Sequence, residues 1–116
     1  MNDKPARDRL RVAAMIDAAE EAKRESAEGK TRFLEGGLLQ KAILLDLIHF
    51  TESAEKTSPA FKSRNSRIPW SRLSRLRNRG LVHDYAEADL EDVWRFVRDE
   101  LPRIRRALDR VTYAEE

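Results

Sequence analysis

Apolar residues recur at helical spacing through most of this chain and predict four helices separated by polar breaks. The first helix is predicted at about residues 5–28 and the second at about 37–56. The second is apolar around much of its circumference, so we expect it to be the most buried helix. Residues 31–36 and 57–68 lack this periodicity, which predicts a short connector and a loop.

The third and fourth helices are marked by their start signals. Pro69 suits a first helical position and opens a helix that continues from Trp70. Asp89 suits an N-cap, with Asp92 in the favourable first turn of the fourth helix. Pro102 lies inside this last helix and predicts a kink near residues 98–101. The clearest heptad-like spacing in the chain is that of the apolar residues Leu90, Val93, Val97, Leu101, Ile104, Leu108 and Val111.

This pattern contains no competing strand signal and predicts an all-α protein. We expect one domain over residues 1–116, folded as an antiparallel four-helix bundle. The absence of cysteine excludes a disulfide framework and a thiolate metal site, and two distant histidines make a zinc site improbable. No apolar run approaches the roughly 20 residues that span a bilayer. Because residues 1–5 also lack an apolar signal-peptide core, we expect no membrane partner and a cytoplasmic location.

The net charge of +2 conceals an uneven distribution. Eight basic residues and no acidic residue lie between Lys56 and His83, whereas the rest of the chain has 15 basic and 21 acidic residues. Such a segment is either a solvated face or a surface for an anionic partner, most simply a nucleic-acid backbone.

The arginines of the third helix fall on two sides. Arg72, Arg75 and Arg79 share the side where a solvated basic stripe belongs, whereas Arg77 projects among the apolar residues. A guanidinium placed there requires satisfied donors. Arg77 therefore needs a carboxylate, a carbonyl, a subunit interface or a bound phosphate as its partner.

The segment that follows Arg77 carries the candidate chemistry. Asn78, His83 and Tyr85 complete a cluster in which histidine can move a proton near neutral pH and arginine can hold a phosphate. Taken singly, Arg77 is also explained as a structural arginine at a helix seam, His83 as a residue capping a helix end, and Tyr85 as a packed aromatic ring. Together they indicate phosphodiester chemistry.

At these residues the chain resembles the HepT-like toxin branch of the HEPN superfamily, the higher eukaryotes and prokaryotes nucleotide-binding domains. That superfamily has an arginine, four to six residues and then a histidine, as Arg77 and His83 do here. The branch pattern has four intervening residues followed by histidine, one residue and tyrosine. His83-Asp84-Tyr85 fits its second half, and the first half is one residue longer, most simply by Gly80. A helix bulge or an early helix end would absorb that residue, and Arg79 is the substitute candidate for the catalytic arginine.

The resemblance implies an RNA endonuclease toxin of a two-gene toxin–antitoxin pair of type II or type VII, requiring no metal or other cofactor. It also implies a two-fold homodimer and a minimal nucleotidyltransferase antitoxin that attaches AMP to Tyr85. His83 would be the general base that activates the 2′-hydroxyl of RNA, a tRNA or an mRNA. Arg77 would stabilise the phosphate and Asn78 would position it. The stripe of Arg72, Arg75 and Arg79 would bind flanking phosphates without reading sequence.

Two other interpretations remain open at this point. One is a non-catalytic nucleotide- or nucleic-acid-binding partner of a nucleotidyltransferase, which the longer spacing between arginine and histidine favours. The other is a helical interaction protein that uses the fourth helix as a dimer seam. His49, on the second helix, is interpreted as a core or interface histidine because its neighbours are apolar.

Overall fold

The fold was analysed in a computed structural model that describes residues 4–81 and 89–113. These residues form an all-helical bundle, and no strand occurs among them. The long helices are α1 (Lys4–Ser26) and α3 (Gly37–Glu55), joined by a short helix α2 (Lys30–Leu34). A second short helix, α4 (Pro59–Arg64), precedes α5 (Trp70–Leu76). The last helical block consists of α6 (Leu90–Arg95), a π-helical turn (Phe96–Glu100) and α7 (Leu101–Leu108).

Helices α1 and α3 form the most extensive contact of the bundle and run antiparallel. At the start of α1, the buried Asp8 accepts hydrogen bonds from the backbone nitrogen and hydroxyl of Ser58, just beyond the end of α3. The Ser58 hydroxyl in turn accepts from the backbone nitrogen of Phe61 and caps α4. The core between the helices contains fully buried Met15, Leu47 and Phe96. The prediction of an all-α bundle is therefore confirmed.

Both short helices replace segments that were predicted to be irregular. Residues 31–36 were predicted to be a connector, but α2 buries Phe33, whose ring lies 5.6 Å from that of Trp94. Residues 57–68 were predicted to be a loop, but α4 buries Phe61 against Trp70. One aromatic anchor in each segment supplies the burial that stabilises a turn or two of helix.

The last helical block follows its predicted pattern closely. Val93, Val97, Leu101, Ile104 and Leu108 are all buried. Pro102 has no backbone N–H to donate to the preceding turn, and the π-helical turn Phe96–Glu100 stands immediately before it, where a kink was predicted. A further small correction concerns Pro69, which is the N-cap residue of α5 and not its first helical residue.

The contact between α1 and α3 includes two carboxyl groups, each with one buried oxygen that lacks a hydrogen-bond donor among the described residues. Glu25 Oε1 and Asp46 Oδ2 are buried and neither accepts a hydrogen bond from any described group. Burial and then the adjacent Asp46 carboxyl raise the pKa of Glu25 to about 8. Burial likewise raises the pKa of Asp46. A proton shared between the two carboxyl groups would satisfy both oxygens, so the pair titrates as a unit.

Candidate active site

A π-helical turn lies where the sequence carries its extra residue. Helix α5 continues beyond Leu76 into this turn, Arg77–Leu81, which includes Gly80. Because a π-helix bonds each N–H five residues back, the turn holds one residue more than an α-helical turn. Leu73, Leu76 and Leu81 are consequently all buried, although the last two are five positions apart. A π-helical turn is a form of helix bulge, which is one of the two ways in which the extra residue was expected to be absorbed.

Arg77 begins this turn and is held by the end of α3. Its side chain is 24% exposed, and Nη1 donates to Glu55 Oε2 at 2.9 Å, while Nη2 lies 3.9 Å from Glu52 Oε2. The Nε atom is buried and has no hydrogen-bond partner among the described residues. The prediction that Arg77 needs a partner is met by a carboxylate. A carboxylate thus holds one nitrogen of the guanidinium, and not all of its N–H groups have acceptors among the described residues.

The acidic partners of Arg77 were missed by sequence reasoning. Glu52 and Glu55 are three positions apart on α3, a spacing that places them on one side of a helix and is equally typical of a solvated face. Only the packing of α3 against α5 and its π-helical turn brings these carboxylates to Arg77.

The predicted basic stripe is divided in the structure. Arg75 is exposed and forms no ion pair with a described residue, and the side chain of Arg79 is outside the described set. Arg72 is not on a solvated face, so that part of the prediction is wrong. Its side chain is 21% exposed, donates to both carboxylate oxygens of Glu100 and of Asp92, and lies 5.4 Å from the Phe96 ring centroid. These hydrogen bonds, Glu100 first, raise the pKa of Arg72.

Of the remaining candidate residues, the structure describes Asn78 but not His83 or Tyr85. Asn78 is exposed, and its Nδ2 lies 3.5 Å from Ser74 Oγ, a distance at the outer limit of a hydrogen bond. His83 and Tyr85 lie outside the described residues, so their roles stay predictions. His49 is exposed rather than part of the core, which corrects one of the two interpretations given to it.

Neither a metal site nor a membrane-spanning helix is found in the described part of the chain. No group of three or more histidine, aspartate or glutamate side chains there has the arrangement needed to hold a metal ion. No helix in residues 4–81 and 89–113 is long and apolar enough to cross a membrane.

Comparison with known proteins identifies the family. The sequence model of the family described as Ribonuclease HepT-like matches residues 15–111, well over half of the chain. A protein of Thermococcus cleftensis named "Probable ribonuclease HepT" is 28% identical over 94 residues, covering 81% of this chain and 83% of its own length. A protein of Caldanaerobacter subterraneus subsp. tengcongensis named "Putative RNase TTE0752" is 20% identical over 84 residues, covering 72% of this chain and 74% of its own.

No solved structure matches the chain significantly. The family match spans the segment from Met15 to Val111 and so includes Arg77, the π-helical turn and the histidine that follows it. This chain belongs to the HepT-like ribonuclease family.

Proposed function

We propose that this protein is the RNA-cleaving toxin of a toxin–antitoxin pair and that Arg77 and His83 form its catalytic centre. Family membership supports ribonuclease activity. The observation that carries the assignment of the centre is the π-helical turn Arg77–Leu81. Such a turn would accommodate the one residue by which the arginine-to-histidine spacing exceeds the branch pattern, and Leu81 at its end is buried in the core.

The proposed chemistry uses a nucleophile that RNA itself supplies. His83 removes the proton of the 2′-hydroxyl, whose oxygen attacks the adjacent phosphorus and forms the phosphorane. The free N–H groups of the Arg77 guanidinium donate to the non-bridging oxygens as their charge increases, while Glu55 keeps the guanidinium in place. The bond to the 5′-oxygen then breaks, leaving a 2′,3′-cyclic phosphate, and a second acid protonates the 5′-oxygen. Every proton is moved by a side chain, so the scheme needs no metal.

A homodimer would supply that second acid. In a two-fold arrangement with both motifs in one cleft, His83 of the partner subunit protonates the leaving 5′-oxygen. The surface offers an apolar stripe on α3 for such an interface, since Leu38 is 86% exposed and Leu45 is 48% exposed, seven positions apart on one side of the helix. Asn78, which is exposed and follows Arg77 in the sequence, would contact the scissile phosphate.

The proposed regulation is AMP transfer to Tyr85 by a minimal nucleotidyltransferase antitoxin. The added phosphate and adenine would occupy the cleft and exclude RNA by charge and bulk. Incubation with the antitoxin and ATP should add the mass of one AMP to the peptide that contains Tyr85, and should stop cleavage. A Tyr85→Phe variant that is silenced equally well would contradict this assignment.

The test of the catalytic centre is cleavage of tRNA and of a mixed RNA pool in EDTA. We expect the wild-type chain to cleave, and folded Arg77→Ala and His83→Ala variants to lose activity by about 100-fold or more. Losses of this size are usual for a catalytic proton-transfer group such as His83 and for a donor that stabilises transition-state charge such as Arg77. Arg98→Ala is the matched control, because Arg98 is exposed and bonds only to its neighbour Asp99. Full activity in both site variants would refute the centre. RNA binding without cleavage by the wild type would favour a non-catalytic binding partner of the nucleotidyltransferase.

A further inference from the structure

A groove of about 490 Å³ lies at the corner between α4 and α5, beside the end of α7. Its floor is apolar, with contributions from Ile68 and Val111. Its rim carries five exposed arginines, two from the corner and three from α7 and the residues that follow it. We call it the arginine groove, and its arginines are Arg64, Arg67, Arg103, Arg106 and Arg110.

The five guanidinium groups lack acidic partners among the described residues. None of them forms an ion pair or side-chain hydrogen bond there, and no lining residue is acidic. The nearest carboxylates along the helix are engaged elsewhere, because Asp99 bonds to Arg98 and Asp109 bonds to Arg105. By contrast, Arg72 near the start of α5 and Arg77 just after its end are both ion-paired. Asp99 also attracts Arg103 electrostatically, so the positive charge of the arginine groove is compensated only in part.

Hydrogen bonds of a buried asparagine hold the groove wall together, although its arginines are exposed. Asn65 is buried, and its side chain donates to the carbonyl oxygen of Thr112 and accepts from the Thr112 backbone nitrogen, both at 2.8 Å. The Trp70 indole donates to the Asn65 carbonyl oxygen at 3.1 Å. These bonds fasten the corner to the end of α7. Like charges held together on a fixed wall repel one another, and a bound polyanion relieves that repulsion.

We propose that the arginine groove binds phosphates of the RNA substrate outside the cleavage site. This inference rests on the proposed function. Arg103, Arg106 and Arg110 follow one another at helical spacing from α7 into the turn after it, and the eight residues they span cover roughly 10 Å at 1.5 Å per residue. A row of that length matches several successive phosphates of a strand rather than one phosphate group. The groove adjoins the residues that precede α5, and Arg77 follows the last residue of α5, so a strand that reached both would extend along this helix.

The apolar floor favours a nucleotide strand over an acidic protein segment. Ribose and base faces can lie against the half-buried Ala107 and Val111 while phosphates face the arginines. No hydrogen-bonding group that would distinguish one base from another is required, so the site contributes affinity rather than sequence specificity.

The test is RNA binding by a His83→Ala protein, in which turnover does not interfere with the measurement. Arg106→Gln combined with Arg110→Gln removes two of the five charges without breaking an ion pair to a described residue. We expect the Kd for tRNA to rise by on the order of tenfold, and the slope of log K against log salt to fall by about 1.4, or about 0.7 for each lost phosphate contact. Lys23→Gln combined with Lys41→Gln is the control, since both lysines are exposed on α1 and α3 outside the groove and form no ion pair with a described residue. Its Kd should change by less than twofold.

Cleavage by the charge variants, with His83 intact, separates this proposal from the catalytic one. The groove variant should raise KM and leave kcat unchanged. An affinity and a salt slope equal to those of the control would overturn the proposal, whatever His83→Ala does to cleavage. Binding of ATP that depends on Arg106 and Arg110, with tRNA affinity unchanged, would also overturn it, in favour of a site for a free nucleotide. Cleavage retained in His83→Ala would instead refute the catalytic centre and leave the groove result intact.

Discussion

Replacing Glu25 by glutamine should stabilise the protein at pH 8 and leave its stability almost unchanged near pH 4. The unfolded chain releases the Glu25 proton near its ordinary pKa of 4.5, whereas the folded chain keeps it to about 8. The unfolded state therefore binds fewer protons between these values, and folding stability falls as the pH rises through this window. Glutamine keeps a neutral group beside Asp46 at every pH and removes the loss.

The size of this effect follows from the shift and from the exposure of the carboxyl group. A shift from 4.5 to 8 in a fully buried group would correspond to about 5 kcal/mol. Glu25 is only partly buried, and solvent screening reduces the expected gain at pH 8 to about 1 kcal/mol. In a domain of this size, that gain raises Tm by about 4 °C.

Urea and thermal unfolding at pH 5 and pH 8 measure the difference. Glu28→Gln is the control because Glu28 is exposed and lies just beyond α1. His49 lines the same surface as Asp46, but it is present in every variant and cancels from the comparison. The reasoning fails if Glu25→Gln is no more stable than the wild type at pH 8, or if its advantage is the same at pH 5.

Two further predictions concern stability and are read from chemical denaturation. Arg72→Ala should lower the free energy of unfolding by about 3 kcal/mol because it leaves Asp92 and Glu100 without their shared partner. A loss below about 0.5 kcal/mol would mean that Arg72 contributes no more to stability than a solvated surface arginine. Asn65→Ala should cost about 2 kcal/mol, since both backbone polar groups of Thr112 lose their partner. Stability unchanged in Asn65→Ala would mean that water replaces the amide.

The helices could be predicted from the sequence where apolar residues repeat over several turns. This was the case for the extents of α1 and α3 and for the block that ends with Leu108. The buried face of α3 was predicted less well, because Leu38 and Leu45 belong to its apolar pattern and are exposed. Prediction failed for α2 and α4, where one buried aromatic residue supplies most of the packing and leaves no period to read. In α4 the Ser58 N-cap and Pro59 were available as signals, but the neighbouring charged and polar residues favoured a loop.

The candidate site was predictable in its residue types and not in its partners. Projection of α5 on an ideal helix indicated that Arg77 needs a counter-charge, but that charge comes from α3, more than 20 positions away. The same projection placed Arg72 in solvent because it takes no account of Asp92 and Glu100 on the block that packs beside it. Ion pairs between distant segments depend on tertiary packing, which periodicity does not encode.

The wide turn at Arg77–Leu81 also bears on how the gene for this chain can change. In an ordinary α-helix, gain or loss of one codon rotates every later side chain by about 100° and moves the apolar face away from the core. Here the added residue is confined to one turn, and Leu81 still faces the core. Loss of the Gly80 codon would therefore convert the turn to α-helical form without changing which residues of the preceding helix face the core. Single-codon length differences between family members are thus expected to be tolerated at this turn and selected against inside α1 and α3.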